Sequence, residues 1–160
     1  MAESVFIRAM HPKAEIRPDA SAIQKILTAG WVGQLKIHVQ RHKLAIPAAM
    51  VKELQRLFTP KSGWNVIDAE WLKPEKKLFV FDFLKREDKT LRAMTYPERW
   101  DLLPRSFLSP HISVLPLLKD QAACLKAMET PGAHIEGLMF KSMSSSGFAD
   151  SSIVRCRRKK

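Results

Sequence analysis

Two apolar runs, Trp64 to Leu72 and Lys77 to Leu84, lie on either side of the short connection Lys73-Pro-Glu-Lys76. Both are too short for a substantial helix and are rich in the branched and aromatic residues that fit a pleated surface, so each is predicted to be a strand. The proline-containing link between them has the composition of a hairpin loop. The two strands are therefore expected to pair antiparallel, and the rest of the chain has to cover their apolar faces.

Helical periodicity supplies that cover. After Pro47, the segment Ala48 to Phe58 puts Met50, Val51, Leu54, Leu57 and Phe58 on one face, and Pro60 with Gly63 closes it. Lys119 to Met128 reads as a second amphipathic helix, ended by Pro131-Gly132. A shorter helix, Ala22 to Thr28, takes Asp19 or Ser21 as its cap and stops at Gly30. Thr95 precedes a helix start at Tyr96-Pro97 that runs to Leu103 and is ended by Pro104. Further strands are expected at Trp31 to Val39, Ile112 to Leu115, Ile135 to Phe140 and Ser152 to Arg157, with a serine- and glycine-rich loop, Ser142 to Asp150, between the last two. Met1 to Pro18 lack a clear period and read as an irregular lead-in with one short strand at Val5 to Arg8. The expected class is α+β, with antiparallel sheets and helices packed outside them. With 160 residues, 46% of them hydrophobic, one globular unit spanning 1–160 is expected.

Against 16 Asp and Glu stand 27 Lys and Arg, a formal net charge of +11 with a pI near 10.0. Such a surplus favours polyanionic partners, nucleic acid before anionic membrane. No apolar run approaches the ~20 residues needed to cross a bilayer, and Met1-Ala-Glu-Ser-Val-Phe-Ile7 has neither a basic start nor a long apolar stretch. A soluble, intracellular, cytoplasmic protein without a membrane partner is expected. Cys124 and Cys156 are the only cysteines and show no metal-ligand spacing, which fits a reducing compartment without structural disulfides or zinc. His11, His42, His111 and His134 show no ligand spacing either.

In Gly33-Gln-Leu-Lys-Ile-His-Val-Gln-Arg41, Lys36 ends a short apolar run with His38 and Arg41 just beyond. A lysine attacks an electrophile only when deprotonated. Because an ordinary lysine has a pKa of ~10.4, a nucleophilic one needs desolvation or neighbouring cations. A lone lysine on a strand is ordinarily solvated. What singles this one out is the order of the segments after it: Asp68-Ala-Glu70, Phe79-Val-Phe-Asp-Phe-Leu84, Glu136-Gly-Leu-Met-Phe-Lys141 and Ser152-Ile-Val-Arg-Cys-Arg157. Together they resemble the adenylylation domain of ATP-dependent DNA ligases, within the superfamily of lysine nucleotidyltransferases that also holds RNA ligases and capping enzymes. The likeness covers the chain from about Trp31 to its end. Its most specific piece is Glu136 to Lys141, which keeps the pattern E-G-x-x-x-K in full, and Phe81-Asp82 matches the family's usual neighbour of the adenine site.

The resemblance implies a role for each matching residue. Lys36 would be the nucleophile of the K-x-D-G-x-R motif, attacking the α-phosphate of ATP, expelling pyrophosphate and forming a lysyl-adenylate. In that motif His38 stands at the aspartate place, Val39 at the glycine place, and Arg41 keeps the arginine. Glu70 follows Lys36 by 34 positions, a shorter interval than is usual in the family. Glu136 is implied as the carboxylate that organises Mg2+, Glu70 as a ligand of the ribose or of a metal-bound water, and Phe81 as the ring stacked on adenine. His38 and Arg41 would help to hold the nucleotide. Lys141, Arg155 and Arg157 would clamp phosphates, the two arginines standing where lysines are usual. Arginine keeps the charge there and can bind phosphate with two parallel hydrogen bonds. Ligases of this kind carry an oligonucleotide-binding barrel after the motif at Arg155. The sequence runs only to Lys160, so no C-terminal barrel is expected.

The implied activity is nick sealing by a monomer that uses ATP and Mg2+ and acts on nicked duplex DNA or RNA. Two other readings stay open. One is a degenerate, non-catalytic module that binds nucleotide or nucleic acid, towards which Val39, the short interval and the absent barrel point. The other is RNA-ligase or capping-type nucleotidyl transfer by the same lysine chemistry. Without the family, Phe81 reads as core, Glu70 as a solvated or paired carboxylate, and Arg155 to Lys160 as a solvated tail. Trp31, Trp64, Trp71 and Trp100 read as packing residues rather than base-stacking platforms.

Overall fold

The structure is a computed structural model in which residues 5–8, 14–37, 47–72, 75–105, 109–132, 135–144 and 153–158 are described. In chain order the elements are β1 (Val5–Arg8), β2 (Ala14–Glu15), α1 (Ala20–Thr28), β3 (Trp31–Ile37), α2 (Ala48–Phe58), β4 (Asn65–Leu72), β5 (Lys77–Arg86), β6 (Lys89–Thr90), α3 (Tyr96–Asp101), β7 (Ile112–Val114), α4 (Gln121–Met128), β8 (Ile135–Ser142) and β9 (Ile153–Arg157). The chain is mixed α+β and divides into two compact units. The first comprises Met1–Met10, Val39–Met94 and Glu98–Val114, and the second His11–His38, Thr95–Pro97 and Leu115–Lys160.

In the first unit the sheet runs β1-β4-β5-β6, with β7 also paired to β5. The hairpin of β4 and β5 is antiparallel, from Val66 opposite Lys85 to Leu72 opposite Lys77. Its register slips twice, leaving Leu84 and Phe81 of β5 without a residue opposite. Each slip is a bulge that turns the following side chain to the other face. That is why Val80 to Leu84 are buried in unbroken succession, and why Phe83 joins Leu78 and Val80 in one core, which strict alternation forbids. α2 closes this core with Met50, Leu54 and Phe58, and the Phe58 ring meets Phe83 edge-on at 6.5 Å. Val51, placed on the same face by periodicity, is only half-buried.

One polar pair is sealed in this unit. The guanidinium of Arg99 donates from Nε to Asp82 Oδ1 at 3.0 Å and from Nη2 to Oδ2 at 3.1 Å, and both side chains are 0% exposed. Asp82 Oδ1 also accepts from the Phe83 amide at 2.7 Å, and Arg99 Nη1 donates to the Met94 carbonyl at 2.9 Å. Asp68, opposite Asp82 in the register, is buried too. Trp64 departs from its expected packing role and is 44% exposed.

In the second unit the order is β2-β9-β8-β3. α1 and α4 cover one face, where Ile23 and Cys124 pack with Leu138, Phe140 and Cys156. Both helices begin on an aspartate: Asp19 Oδ1 accepts from the Ala22 amide and Asp120 Oδ1 from the Ala123 amide, each at 2.8 Å. Of the two caps expected for α1, Asp19 is the one used. Gly33 is held close to Leu118 by reciprocal backbone bonds of 2.9 and 2.7 Å, and a Cβ there would stand 3.0 Å from the Phe140 ring and 3.1 Å from Cys124 Sγ. Burial pushes the thiols of Cys124 and Cys156 up to about 11, so both stay protonated, packed as small apolar groups.

Both sheets are mixed, not purely antiparallel as expected. β1 runs parallel to β4, β7 to β5 and β2 to β9. Each of these edge strands reaches its partner through a long connection, which leaves the direction free, whereas hairpin partners have no choice. The two-residue strands β2 and β6 carry no periodic signal and were not expected. β3 is described to Ile37, and residues 38–39 of the predicted strand lie outside the described residues, as do 73–74 of the hairpin loop and 145–150 of the serine-rich loop. Among the described residues no helix is long and apolar enough to cross a membrane.

Candidate active site

Side chains on a strand alternate between faces, and the cross-strand register decides which ones stand side by side. In the second unit Trp31 and Leu35 of β3, Leu138 and Phe140 of β8 and Cys156 of β9 point into the helix-covered core. The opposite face carries the intervening residues in rows across β3, β8 and β9. Lys36, Gly137 and Arg157 form one row, Gln34, Met139 and Arg155 the next, and Val32, Lys141 and Ile153 the third. β2 adds Glu15 beside Arg155. Four cations thus share one face of a four-stranded sheet.

Alternation alone would put Glu136 among the core residues with Leu138. It does not go there, because the register slips between Lys36 and Ile37, whose partner is Ile135, and because Gly137 has a φ of +146°. The bulge re-aims Glu136 so that its Oε2 lies 2.9 Å from Lys36 Nζ, an ion pair with side chains 13% and 17% exposed. Only glycine serves at 137: besides the positive φ, a Cβ would overlap the Cys156 carbonyl oxygen. Gly137→Ala is therefore expected to cost at least about 2 kcal/mol. A thermal melt would show the loss, and a melt unchanged from the wild type would contradict it.

Lys141 is 2% exposed, with its Nζ 4.3 Å above the centre of the Tyr96 ring. Tyr96 Oη donates to Gln34 Oε1 at 2.7 Å, and Gln34 Nε2 donates to the Leu115 carbonyl at 3.0 Å. All three side chains are buried, so this chain of bonds fixes the ring that the ammonium rests on.

At the outer edge, Arg157 grips Glu15 with both arms of its fork, Nε to Oε1 at 2.6 Å and Nη2 to Oε2 at 3.1 Å. The hydrogen bond from Arg157 holds the Glu15 carboxyl below the usual carboxylate range and raises the guanidinium in turn. Arg155 Nε stands 3.7 Å from Glu15 Oε2, too far for a hydrogen bond. That Nε is buried and has no hydrogen-bond partner among the described residues. Arg158 is not part of a solvated tail: its guanidinium donates to the carbonyls of Thr130, at 2.6 Å, and Gly132, just past α4.

The face thus brings together Lys36, Glu136, Lys141, Arg155 and Arg157 of the expected site. Glu70 and Phe81 belong to the first unit, where Glu70 is half-buried on β4 and Phe81, on a bulge of β5, is 1% exposed. His38 and Arg41 lie outside the described residues. Sequence reasoning missed Gln34, Tyr96 and Glu15. Gln34 was within reach, two positions before Lys36 on the same strand face, but Tyr96 and Glu15 come from distant segments with no local signal. Among the described residues no three His, Cys, Asp or Glu side chains stand together to hold a metal ion. No protein-family model matches the sequence, and no curated protein matches it either.

Proposed function

We propose that the chain is a nucleotidyltransferase of the ATP-dependent DNA ligase type, with the ligase-type fold and Lys36 as its nucleophile. The observation that carries the reading is the Lys36–Glu136 pair, set at 2.9 Å on a sheet face that also bears Lys141, Arg155 and Arg157. A nucleophilic lysine needs a group to take its proton, and Glu136 is in contact with it. In the reaction a bond forms between Lys36 Nζ and the α-phosphorus of ATP while the bond to the β-phosphate oxygen breaks. Pyrophosphate leaves, and the proton passes from Nζ to Glu136. The three other cations face the charge that builds up on the phosphates, fixed in place before the reaction begins. The Nε of Arg155, buried and without a hydrogen bond among the described residues, fits an oxyanion. Mg2+ would be held by Glu136 together with the triphosphate, and would supply neutralisation of the charge on the phosphates.

In this reading the surplus of basic residues serves the phosphates of nicked duplex DNA or of RNA. Incubation with ATP and Mg2+ is expected to add one AMP to the intact mass. Glu136→Gln keeps the shape but cannot take the proton, so it should slow that gain about 100-fold to 10,000-fold. An unchanged rate would remove Glu136 from the chemistry. A second reading, a binding module without catalysis, is favoured by the same ion pair, since an ammonium held on a carboxylate is not a nucleophile. ATP binding without any mass gain would decide for it.

A further inference from the structure

Glu15 is seated against the guanidiniums of Arg155 and Arg157. Both of its oxygens are taken by the Arg157 fork at 2.6 and 3.1 Å, while Arg155 Nε, 3.7 Å from the same carboxylate, remains buried without a hydrogen bond among the described residues. A carboxylate can take a third donor beside a fork, as Asp82 does, but Glu15 seated on the Arg157 fork leaves Arg155 Nε beyond hydrogen-bond reach. A phosphoryl group, with three oxygens spread around phosphorus, can meet the fork and the second guanidinium together. Register points the same way: Glu15 is the β2 neighbour of Arg155, and Arg157 is two positions along the same strand face. Glu15 is one-third exposed and held by an exposed ion pair, a contact that contributes little to stability and is easily exchanged.

We propose that Arg155 and Arg157 form a phosphoryl-binding site which Glu15 occupies in the free protein, and from which the incoming phosphate displaces it. The proposal rests on the reading of this sheet face as a phosphate site and adds a device to it. Glu15 keeps the two guanidiniums ordered and weakly occupied, so that monovalent anions are turned away while a polyphosphate, with more charge and more oxygens, gains entry. The site is thereby selective for the number of phosphoryl oxygens rather than for charge alone.

The test is calorimetric titration of the whole chain with inorganic tripolyphosphate at fixed ionic strength, for the wild type, Glu15→Gln, Arg155→Gln and Glu129→Gln. Glu15→Gln should bind about threefold to tenfold more tightly than the wild type, because the internal competitor has lost its charge. Arg155→Gln should bind more weakly. Glu129→Gln removes the same unit of charge at the end of α4 and should stay within about twofold of the wild type. In parallel, the Arg157 Nε–H resonance of the wild type should shift on adding tripolyphosphate as its partner changes. If the wild type binds but Glu15→Gln binds no more tightly, Glu15 is not an occupant of the site, and the phosphate reading of the face stands without it. If neither protein binds tripolyphosphate, the phosphate reading itself fails, and this inference with it.

Discussion

An Arg99→Ala variant is expected to lose about 3–5 kcal/mol of folding stability, the range for stripping one partner from a buried ion pair. The effect belongs at the upper end. With both side chains 0% exposed, the substitution leaves the Asp82 carboxylate without its fork, beside a second buried carboxylate, Asp68, across the hairpin. It also frees the Met94 carbonyl. The cost lies in leaving a charge unpaired rather than in any large net gain from the pair. A double variant, Asp82→Leu/Arg99→Met, should therefore recover part of the loss. Chemical denaturation followed by tryptophan fluorescence would measure both. A loss below about 1 kcal/mol for Arg99→Ala would mean that the pair is not sealed from water as described.

On the proposed reading Lys36→Ala should abolish AMP transfer, since it removes the amine that stands 2.9 Å from Glu136. Lys36→Arg is the sharper variant. It keeps the charge beside Glu136 and so preserves the fold, but a guanidinium does not give up its proton to become a nucleophile. Both variants should lie below detection, at least about 1000-fold under the wild type, while tripolyphosphate still binds to Lys36→Arg. Retention of AMP transfer by either would move the nucleophile elsewhere.

The sequence announced the hairpin of β4 and β5 because composition marks both strands and the turn between them. It announced α2 because Met50, Leu54 and Phe58 repeat at helical spacing. It could not announce the bulge at Phe81, since period says nothing about where a register slips, and with the bulge went the packing of Phe83 beside Val80. The same limit applies at Glu136. Plain alternation sends it into the core, and only the E-G pattern hinted that Gly137 would turn it towards Lys36. The cations Lys36, Lys141, Arg155 and Arg157 could be placed on strands from local sequence. That they share one face depends on the pairing of β3, β8 and β9, which bring together segments about a hundred positions apart. Tyr96 and Glu15 were hidden for that reason, their partners lying 62 and 142 positions away, while Arg99 and Asp82, 17 positions apart, carry no periodic signal that would pair them.

Digestion of the protein after incubation with ATP and Mg2+, followed by sequencing of the AMP-bearing peptide by mass spectrometry, tests the central claim most directly. The account predicts a single modified peptide, with AMP on the side-chain nitrogen of Lys36. AMP on any other residue, or no modified peptide from a protein that demonstrably binds ATP, would contradict it.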